Sequence, residues 1–276
     1  MSKTSIYQIF YDQETRKNLD AGFIPLDNSR NERPDWYEFW VIRNYLLQNK
    51  LDEDRWYGFL SPSFLKKTGV TSKAVYDLLM EVDGGCDVVL ISFGWDQIAY
   101  FLNCFEQGDF WHPGLVQSSE SFFQAAGIDF DLKTYVGSTQ NTVFSNFVFG
   151  KRDYWEKWLS LANSLFSYFE SGNVPSSRRA SALTTYGSGE YLAPMKAFIQ
   201  ERLASVVLAS GKFRVLAADI SGNLPVFDRL FFENSRTRHL LYTCDIMKQE
   251  YCSSRDMRYL EMYWKVRKLV PLRGRG

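Results

Sequence analysis

The chain has 276 residues, enough to bury most of its apolar surface in one large core. Lysine and arginine together number 32, as do aspartate and glutamate, and this balance disfavours general binding of DNA or RNA. Aromatic residues make up 17% of the chain, which indicates either a strongly aromatic core or a cleft that stacks sugar or base rings.

The four cysteines form no CxxC pair, and only two histidines occur, so the sequence contains no zinc-ligand pattern. The first residues lack the apolar core of a signal peptide, and no run of about 18 apolar residues follows. We therefore expect a cytoplasmic protein with reduced thiols.

Strand and helix patterns alternate along the chain. Strands are predicted over residues 5–10, 22–26, 56–60, 87–93, 142–149 and 213–218. Helices are predicted over residues 35–48, 71–82, 95–107, 114–126, 153–171 and 190–209, and a mobile loop over 172–189. This order predicts an α/β domain over residues 1–225, with a mainly parallel central sheet flanked by helices. Residues 226–276 are predicted to form a helical C-terminal extension packed on that domain.

Ligands of such sheets bind beyond the carboxyl ends of the strands. Ser61 ends the strand WYGFL, and Lys66 and Lys67 follow in a short basic turn that precedes a helix. These lysines could contact a phosphate at the helix N-terminus, or they are simply exposed. Arg43, on the helix over 35–48, could hold a phosphate or form a structural salt bridge with Asp35 or Glu38.

Several acidic residues are candidates for catalysis or metal binding. The segment EQGDFWHPG places Asp109 and His112 in one turn, where either could act as a general base or form a rigid structural turn. The triplet Asp129–Asp131 has the Asp-x-Asp spacing of a Mn²⁺ or Mg²⁺ site, although it lies in a polar loop. For Glu201–Arg202, on an apolar helix, we expect a buried pair supporting the sheet, with a direct site role as the alternative.

Three sequence motifs of other enzyme classes are absent. The chain contains no GxGxxG, no GxxxxGK[ST] and no GxSxG. A dinucleotide-binding fold, a P-loop kinase and an α/β-hydrolase therefore lack support.

Three segments resemble a group of bacterial glycosyltransferase-like proteins encoded with capsule and O-antigen synthesis genes. The first comprises IYQIFYDQ, GFIPLDN and the helix EFWVIRNYL. The second is WYGFLSPSFLKKTG, and the third joins VFSNFVFGKRDYWEKWL to AFIQERLASVVLA. Together they span most of residues 5–210 and leave the C-terminal part uncovered.

The resemblance implies a GT-A-like (Rossmann-like) fold that transfers a sugar from a nucleotide-sugar donor to a polysaccharide or lipid-linked oligosaccharide. GT-A enzymes usually end a central strand with Asp-x-Asp, and neither FLSP nor LISFGWD does so. We therefore expect Ser61, Lys66 and Lys67 to perform part of the phosphate binding that a metal performs elsewhere. The implied donor site comprises Tyr7, Asp12, Asp27, Asn28, Arg43, Ser61, Lys66 and Lys67, with Asp96 contacting the donor sugar or a metal and Asp109 or His112 serving as base.

Two other functions stay open. One is a non-catalytic carbohydrate-binding or assembly protein on the same fold, and the other is a small-molecule enzyme of another α/β class. The C-terminal segment KVRKLVPLRGRG is either a solvated tail or a peripheral contact with the inner face of an anionic membrane.

Overall fold

A computed structural model of the chain describes residues 3–82, 84–170, 183–186 and 191–273. The strands are β1 Thr4–Phe10, β2 Ile24–Asp27, β3 Trp56–Leu60, β4 Val88–Ile91, β5 Val148–Gly150, β6 Leu183–Tyr186, β7 Tyr191–Pro194 and β8 Val215–Ala218. The helices are α1 Gln13–Lys17, α2 Glu38–Gln48, α3 Phe64–Thr68, α4 Ser72–Glu81, α5 Trp95–Tyr100, α6 Cys104–Trp111, α7 Leu115–Ala126, α8 Arg152–Glu170, α9 Met195–Gln200, α10 Leu203–Ser210, α11 Ser235–Ser254 and α12 Met257–Arg267.

The central sheet confirms the predicted α/β class. Its six strands lie in the order β2-β1-β3-β5-β4-β8 and are flanked by helices, while β6 and β7 form a separate antiparallel pair. All residues of β3 and β4 are buried, which explains their nearly continuous apolar sequence. Among the described residues, no helix combines the length and the apolar character needed to cross a membrane.

The sheet is mixed, and the prediction that it is mainly parallel is corrected here. β1 is parallel to β2 and β3, and β4 is parallel to β8. β5 is antiparallel to both β3 and β4 and joins them. The reason is the connection between β4 and β5, since its helices α5–α7 return the chain to the edge at which β4 ended. β5 therefore starts at the carboxyl edge of the parallel strands.

The main core is rich in aromatic side chains, as the composition predicted. Trp155 of α8 packs edge-on against Phe59 of β3, with ring centroids 4.9 Å apart, and its indole N–H donates to the Tyr57 carbonyl over 3.0 Å. Helix α8 also packs against α2, α7 and α10. It thereby ties the strand that precedes the candidate site to three of the surrounding helices.

A polar network joins the turn before α2 to the ends of α8 and α9. The guanidinium of Arg33 contacts Asp35 and Glu170, each over 2.8 Å, and the ammonium of Lys196 contacts the same two carboxylates. Burial alone would raise the pKa of Asp35, but the hydrogen bonds from Arg33 and Lys196 outweigh it and lower that pKa to about 2. This network links the C-terminal end of α8 to the start of α9.

The C-terminal segment is helical, and it forms a second apolar cluster with α5. Helices α11 and α12 pack against each other, and α11 packs on α5. The ammonium of the buried Lys248 donates to the carbonyls of Ile98 and Phe101, and burial lowers its pKa to about 8. Arg267 of the basic C-terminal segment binds Glu106 over 2.7 Å, so this cation serves the packing of α12.

Three predicted elements differ from the structure. The predicted helix 95–107 divides into α5 and α6, because Asn103 caps a new helix by accepting from the N–H groups of Phe105 and Glu106. The predicted strand 142–149 is reduced to β5. The predicted helix 190–209 becomes β7, α9 and α10.

The predicted mobile loop 172–189 lies mostly outside the described residues. Its residues 183–186 form β6, which pairs with β7.

Gly58 leaves space for the side chain of its partner in the sheet. It is paired with Phe149 of β5, and a Cβ added at Gly58 would lie 2.8 Å from Phe149 Cδ1. We expect Gly58→Ala to lower the free energy of unfolding by about 1–3 kcal/mol, since the overpacked core must shift. Urea unfolding measures this.

Gly222→Ala is the control for that measurement. Gly222 lies in the short turn Ser221–Asn223, and a Cβ there meets no atom within 4 Å. We expect its unfolding midpoint to stay near that of the wild type. Equal stability of the two variants would contradict the packing argument.

Candidate functional site

The carboxyl ends of β1 and β3 form the topological switch point of the sheet. The chain leaves β1 toward β2 on one side and leaves β3 toward β5 and β4 on the other. In open α/β sheets, ligands bind in the crevice at this point. The buried Gln8 braces it, since its amide donates to the Ser61 carbonyl over 3.3 Å and accepts from the Asp20 N–H over 2.8 Å.

Polar side chains from four segments meet at this edge of the sheet. Lys67 of α3 donates to the Ser145 hydroxyl over 3.1 Å, and the Asn146 amide lies 3.5 Å from the Gln200 side-chain oxygen. Ser145 and Asn146 precede β5, and their edge is therefore the one at which β3 ends. We define the Lys67–Glu201 cluster as Glu38, Lys67, Ser145, Asn146, Gln200 and Glu201.

Glu201 is a carboxylate of this cluster whose pKa is raised. Burial raises its pKa, the positive charges of Arg202 and Lys67 lower it, and Glu38 raises it, with a net increase. Glu201 and Lys67 influence each other electrostatically but form no direct ion pair in the described part of the chain. A partly buried carboxylate with a raised pKa and a cation in its surroundings is suited to proton transfer.

The backbone of the cluster is strained. Ser145 and Asn146 have φ values of 57° and 54°, and Tyr37, which precedes Glu38, has φ 49° and ψ −137°. Left-handed backbone is uncommon for residues other than glycine and costs on the order of 1–3 kcal/mol. Three such residues therefore lie in or next to this one polar cluster.

Lys67 is also held by aromatic rings. Its ammonium lies 4.9 Å from the centroid of Phe93 and 5.8 Å from that of Phe147. An ammonium has three donors, and one of them is used by Ser145. The remaining donors can serve an anionic ligand.

Arg202 has a structural role that differs from the role of the adjacent Glu201. Its buried guanidinium donates to the Cys104 carbonyl and the Gln107 side chain, both over 2.7 Å, and to the Phe198 carbonyl. A Cβ at Gly108 would lie 2.5 Å from this guanidinium, so the glycine gives Arg202 its space. The expected buried pair between Glu201 and Arg202 is thus not formed, and Glu201 remains in the cluster.

A polar pocket of about 440 Å³ lies beyond the end of β2. Asp27 and Asn28, two of the predicted donor residues, line this β2 pocket together with Trp40, Asn44 and Tyr45. Asn28 is only 7% exposed, and its amide nitrogen has no partner among the described residues. Hydrogen bonds from Ser29 lower the pKa of Asp27, which is therefore ionised.

The other predicted donor residues are dispersed. The Tyr7 hydroxyl bonds that of Tyr45 over 2.6 Å, which places it behind the β2 pocket, and Ser61 accepts from the N–H of Ser63. Asp12 caps α1 through Thr15. Arg43 donates to Asn163 over 2.8 Å and stacks on Phe166, so it packs α2 on α8. Lys66 is exposed, in contrast to Lys67.

The structure does not place the predicted catalytic residues in the cluster. Asp109 accepts from the N–H groups of Gly114 and Val116 at the start of α7, each over 3.0 Å. The ring of His112 stacks on Phe198 at 3.6 Å. Asp96 is 2% exposed and accepts from the Phe227 N–H beneath the C-terminal segment.

The weak metal candidates lie at the surface. Asp129 and Asp131 are exposed, and Asp131 accepts from the Lys133 N–H and the Thr134 hydroxyl. Nowhere in the described ranges do three or more His, Cys, Asp or Glu side chains assemble into a metal site. The donor set for Mn²⁺ or Mg²⁺ is therefore not formed by these residues, and no step below uses a metal.

The comparisons with known proteins give no match. No protein-family model, no curated protein and no solved structure is significantly similar to the chain.

The sequence predicts Lys67 and leaves a site role for Glu201 open, but it does not single out Ser145, Asn146 or Gln200. The available signals were the charge on an apolar helix at Glu201 and the polar pair SN within the apolar segment VFSNFVFG. Neither signal says which loops meet, because the four segments of the cluster are far apart in the chain.

Asp96 provides a pH-dependent test of the fold around the site. Burial raises the pKa of Asp96 to about 6, and the hydrogen bond from the Phe227 N–H only partly offsets this increase. Below about pH 6 the Asp96 carboxyl is therefore mostly protonated in the folded chain. In the unfolded chain the carboxyl ionises near pH 4, so the contribution of Asp96 to the free energy of unfolding falls as the pH rises from about 4 to about 6. We expect Asp96→Asn, neutral at every pH, to melt at a higher temperature than the wild type at pH 7 and at nearly the same temperature at pH 4.

Thermal melts at pH 4, 5, 6 and 7 check this, with the exposed Asp228→Asn as control. A melting difference between Asp96→Asn and wild type that stays constant over this range would show that Asp96 ionises normally in the fold.

Proposed function

We propose that the chain is a glycosyltransferase with a GT-A-like fold, which moves a sugar from a nucleotide-sugar donor to a polysaccharide or lipid-linked oligosaccharide. The observation that carries the proposal is the polar cluster at the carboxyl edge of the sheet, in which Lys67 donates to Ser145. The charge of Lys67 also acts on the Glu201 carboxylate without a direct ion pair. All three segments that resemble glycosyltransferase-like proteins contribute to this one cluster. The first contributes Glu38 and the second contributes Lys67. The third contributes the other four residues, Ser145, Asn146, Gln200 and Glu201.

The nucleoside of the donor is assigned to the β2 pocket. Its 440 Å³ volume lies within the roughly 300–1,000 Å³ of small-molecule sites. The ionised Asp27 can accept from ribose hydroxyls, and the buried Asn28 amide offers a donor that needs an oxygen. Trp40 and Tyr45 supply aromatic surface for the base.

Lys67 then faces the phosphates, and Glu201 faces the acceptor. In the reaction the bond between the anomeric carbon and the phosphate oxygen breaks, and its electron pair leaves with the nucleotide, whose charge Lys67 stabilises. The acceptor oxygen forms the new bond to the anomeric carbon, and its proton passes to the Glu201 carboxylate. The aromatic rings around Lys67 limit water in this region, which protects the donor from hydrolysis.

Glu201→Gln tests the proposed base. We expect turnover to fall by roughly 10²–10⁴-fold while nucleotide binding is retained, because the amide cannot accept the proton. In the wild type, the acid limb of the pH–rate profile should lie above the ordinary glutamate pKa of about 4.3, since activity requires the ionised carboxylate. Donor turnover with a panel of UDP-, GDP-, CMP- and TDP-sugars measures both.

Glu81→Gln, at the exposed end of α4, is the matched control and should leave turnover unchanged. Wild-type rates in Glu201→Gln would remove Glu201 from the mechanism. Nucleotide binding without turnover for every donor would instead favour the carbohydrate-binding or assembly protein.

Two adjacent lysines test the phosphate contact. We expect Lys67→Ala to weaken binding of the cognate nucleoside diphosphate by about tenfold to a hundredfold, the loss of one charge-assisted hydrogen bond. Lys66→Ala should bind normally, because Lys66 is exposed outside the cluster. Titration calorimetry with UDP, GDP, CDP and TDP, with and without manganese, measures both variants. Equal weakening by both substitutions would show that a diffuse basic surface binds the phosphates.

A further inference from the structure

A second cavity, of about 330 Å³, lies beyond the carboxyl ends of β4 and β8. Ser92 follows β4 and Asp219 follows β8, and both line it. Its other walls come from α5, the segment around Thr139 and α11. We call it the β4–β8 cavity. It shares no lining residue with the β2 pocket.

Two buried hydrogen-bonding groups in the wall of this cavity have no partner among the described residues. Ser92 is 8% exposed and Trp95 is 3% exposed, and neither the Ser92 hydroxyl nor the Trp95 indole N–H forms a hydrogen bond there. Leaving a buried polar group without a hydrogen bond costs on the order of 1–3 kcal/mol, so most buried polar groups in folded proteins have a partner. An indole N–H can only donate, and its missing partner must therefore be an oxygen or another acceptor.

The charged residues in the rest of the wall are acidic, and they favour a ligand without negative charge. Asp219 and Asp245 supply carboxylates, while no lysine or arginine lines the cavity within the described chain. Asp245 is held in place by the Thr139 N–H and hydroxyl and by the Gln249 amide. The guanidinium of Arg238 lies 5.5 Å from the Trp95 ring centroid, but it is paired with Glu233 over 2.6 Å. The two carboxylates of the wall therefore disfavour a phosphate or carboxylate ligand. A neutral ligand with several hydroxyl groups can accept from Ser92 and Trp95 and donate to the carboxylates.

The cavity also has an aromatic wall. Trp95 and Tyr242 line it and stack on each other, with centroids 4.7 Å apart and an interplanar angle of 16°. Because Trp95 is 3% exposed, it offers its indole N–H, while the half-buried Tyr242 offers aromatic surface to a sugar ring. Amphipathic rings with a polar tip match a ligand that alternates C–H and O–H groups. At about 330 Å³ the cavity is near the lower limit of small-molecule sites, which restricts the ligand to a short saccharide.

The cavity and the Lys67–Glu201 cluster flank the same short segment. Ser92 lines the cavity, and the ring of the next residue, Phe93, lies against the ammonium of Lys67. The cavity and the cluster are therefore adjacent at residues 92 and 93 of the chain.

We propose that the β4–β8 cavity is a binding site for a neutral saccharide. Its role as the acceptor subsite rests on the proposed transferase function, whereas saccharide binding itself does not.

The Trp95 indole N–H is a direct reporter of this site. We expect its ¹H–¹⁵N resonance, assigned with Trp95→Phe, to shift on titration with at least one of the methyl glycosides of glucose, galactose, mannose, N-acetylglucosamine and N-acetylgalactosamine. Ser92→Ala should weaken that binding roughly twofold to tenfold, the loss of one neutral hydrogen bond. Asn28→Ala, in the β2 pocket, is the matched control and should leave it unchanged.

Two outcomes would overturn the inference: no shift of the Trp95 resonance with any glycoside, or a comparable shift with inorganic phosphate. The outcome of the Trp95 titration does not depend on the proposed transferase function. That function fails if no nucleotide binds. Saccharide binding without nucleotide binding would retain this site and remove its assignment as an acceptor subsite.

Discussion

The two parallel parts of the central sheet are held together through β5, a strand of three buried residues. β5 pairs with β3 on one side and with β4 on the other, and Gly58 makes room for the Phe149 ring at this junction. Because β5 runs against its neighbours, it must begin where they end. The turn with Ser145 and Asn146 is thereby brought to the carboxyl edge, where it meets Lys67. The candidate site depends on this inversion of one strand.

The buried cations Arg202 and Lys248 hold the scaffold, because both donate to backbone carbonyls. Lys67 is half-buried and has a hydroxyl and two aromatic rings as neighbours. A fully satisfied guanidinium such as that of Arg202 cannot be withdrawn without leaving an unpaired buried charge. Lys67 can exchange its contacts at little cost.

The carboxyl edge of the sheet carries two separate recesses with different chemistry. The β2 pocket lies on one side of the Lys67–Glu201 cluster in the strand order, and the β4–β8 cavity lies on the other. In the proposed transfer, the two substrates occupy these recesses, with Lys67 and Glu201 between them. The Asn28 amide nitrogen in one recess and the Trp95 indole N–H in the other have no hydrogen-bond partner among the described residues.

The sequence by itself determined the local features: the α/β class, the strands WYGFL and VVLI and the aromatic core. These depend on periodicity and on contacts between near neighbours in the chain. It also offered Lys67 as a phosphate contact after the strand WYGFL, whereas Asp27 and Asn28 came only from the resemblance to glycosyltransferase-like proteins. Only the tertiary structure decided the direction of β5, the division of the helix around Glu201, and the roles of Asp96, Asp109 and Arg43 in packing. Each of these depends on contacts between residues far apart in the chain, and no local pattern records such contacts.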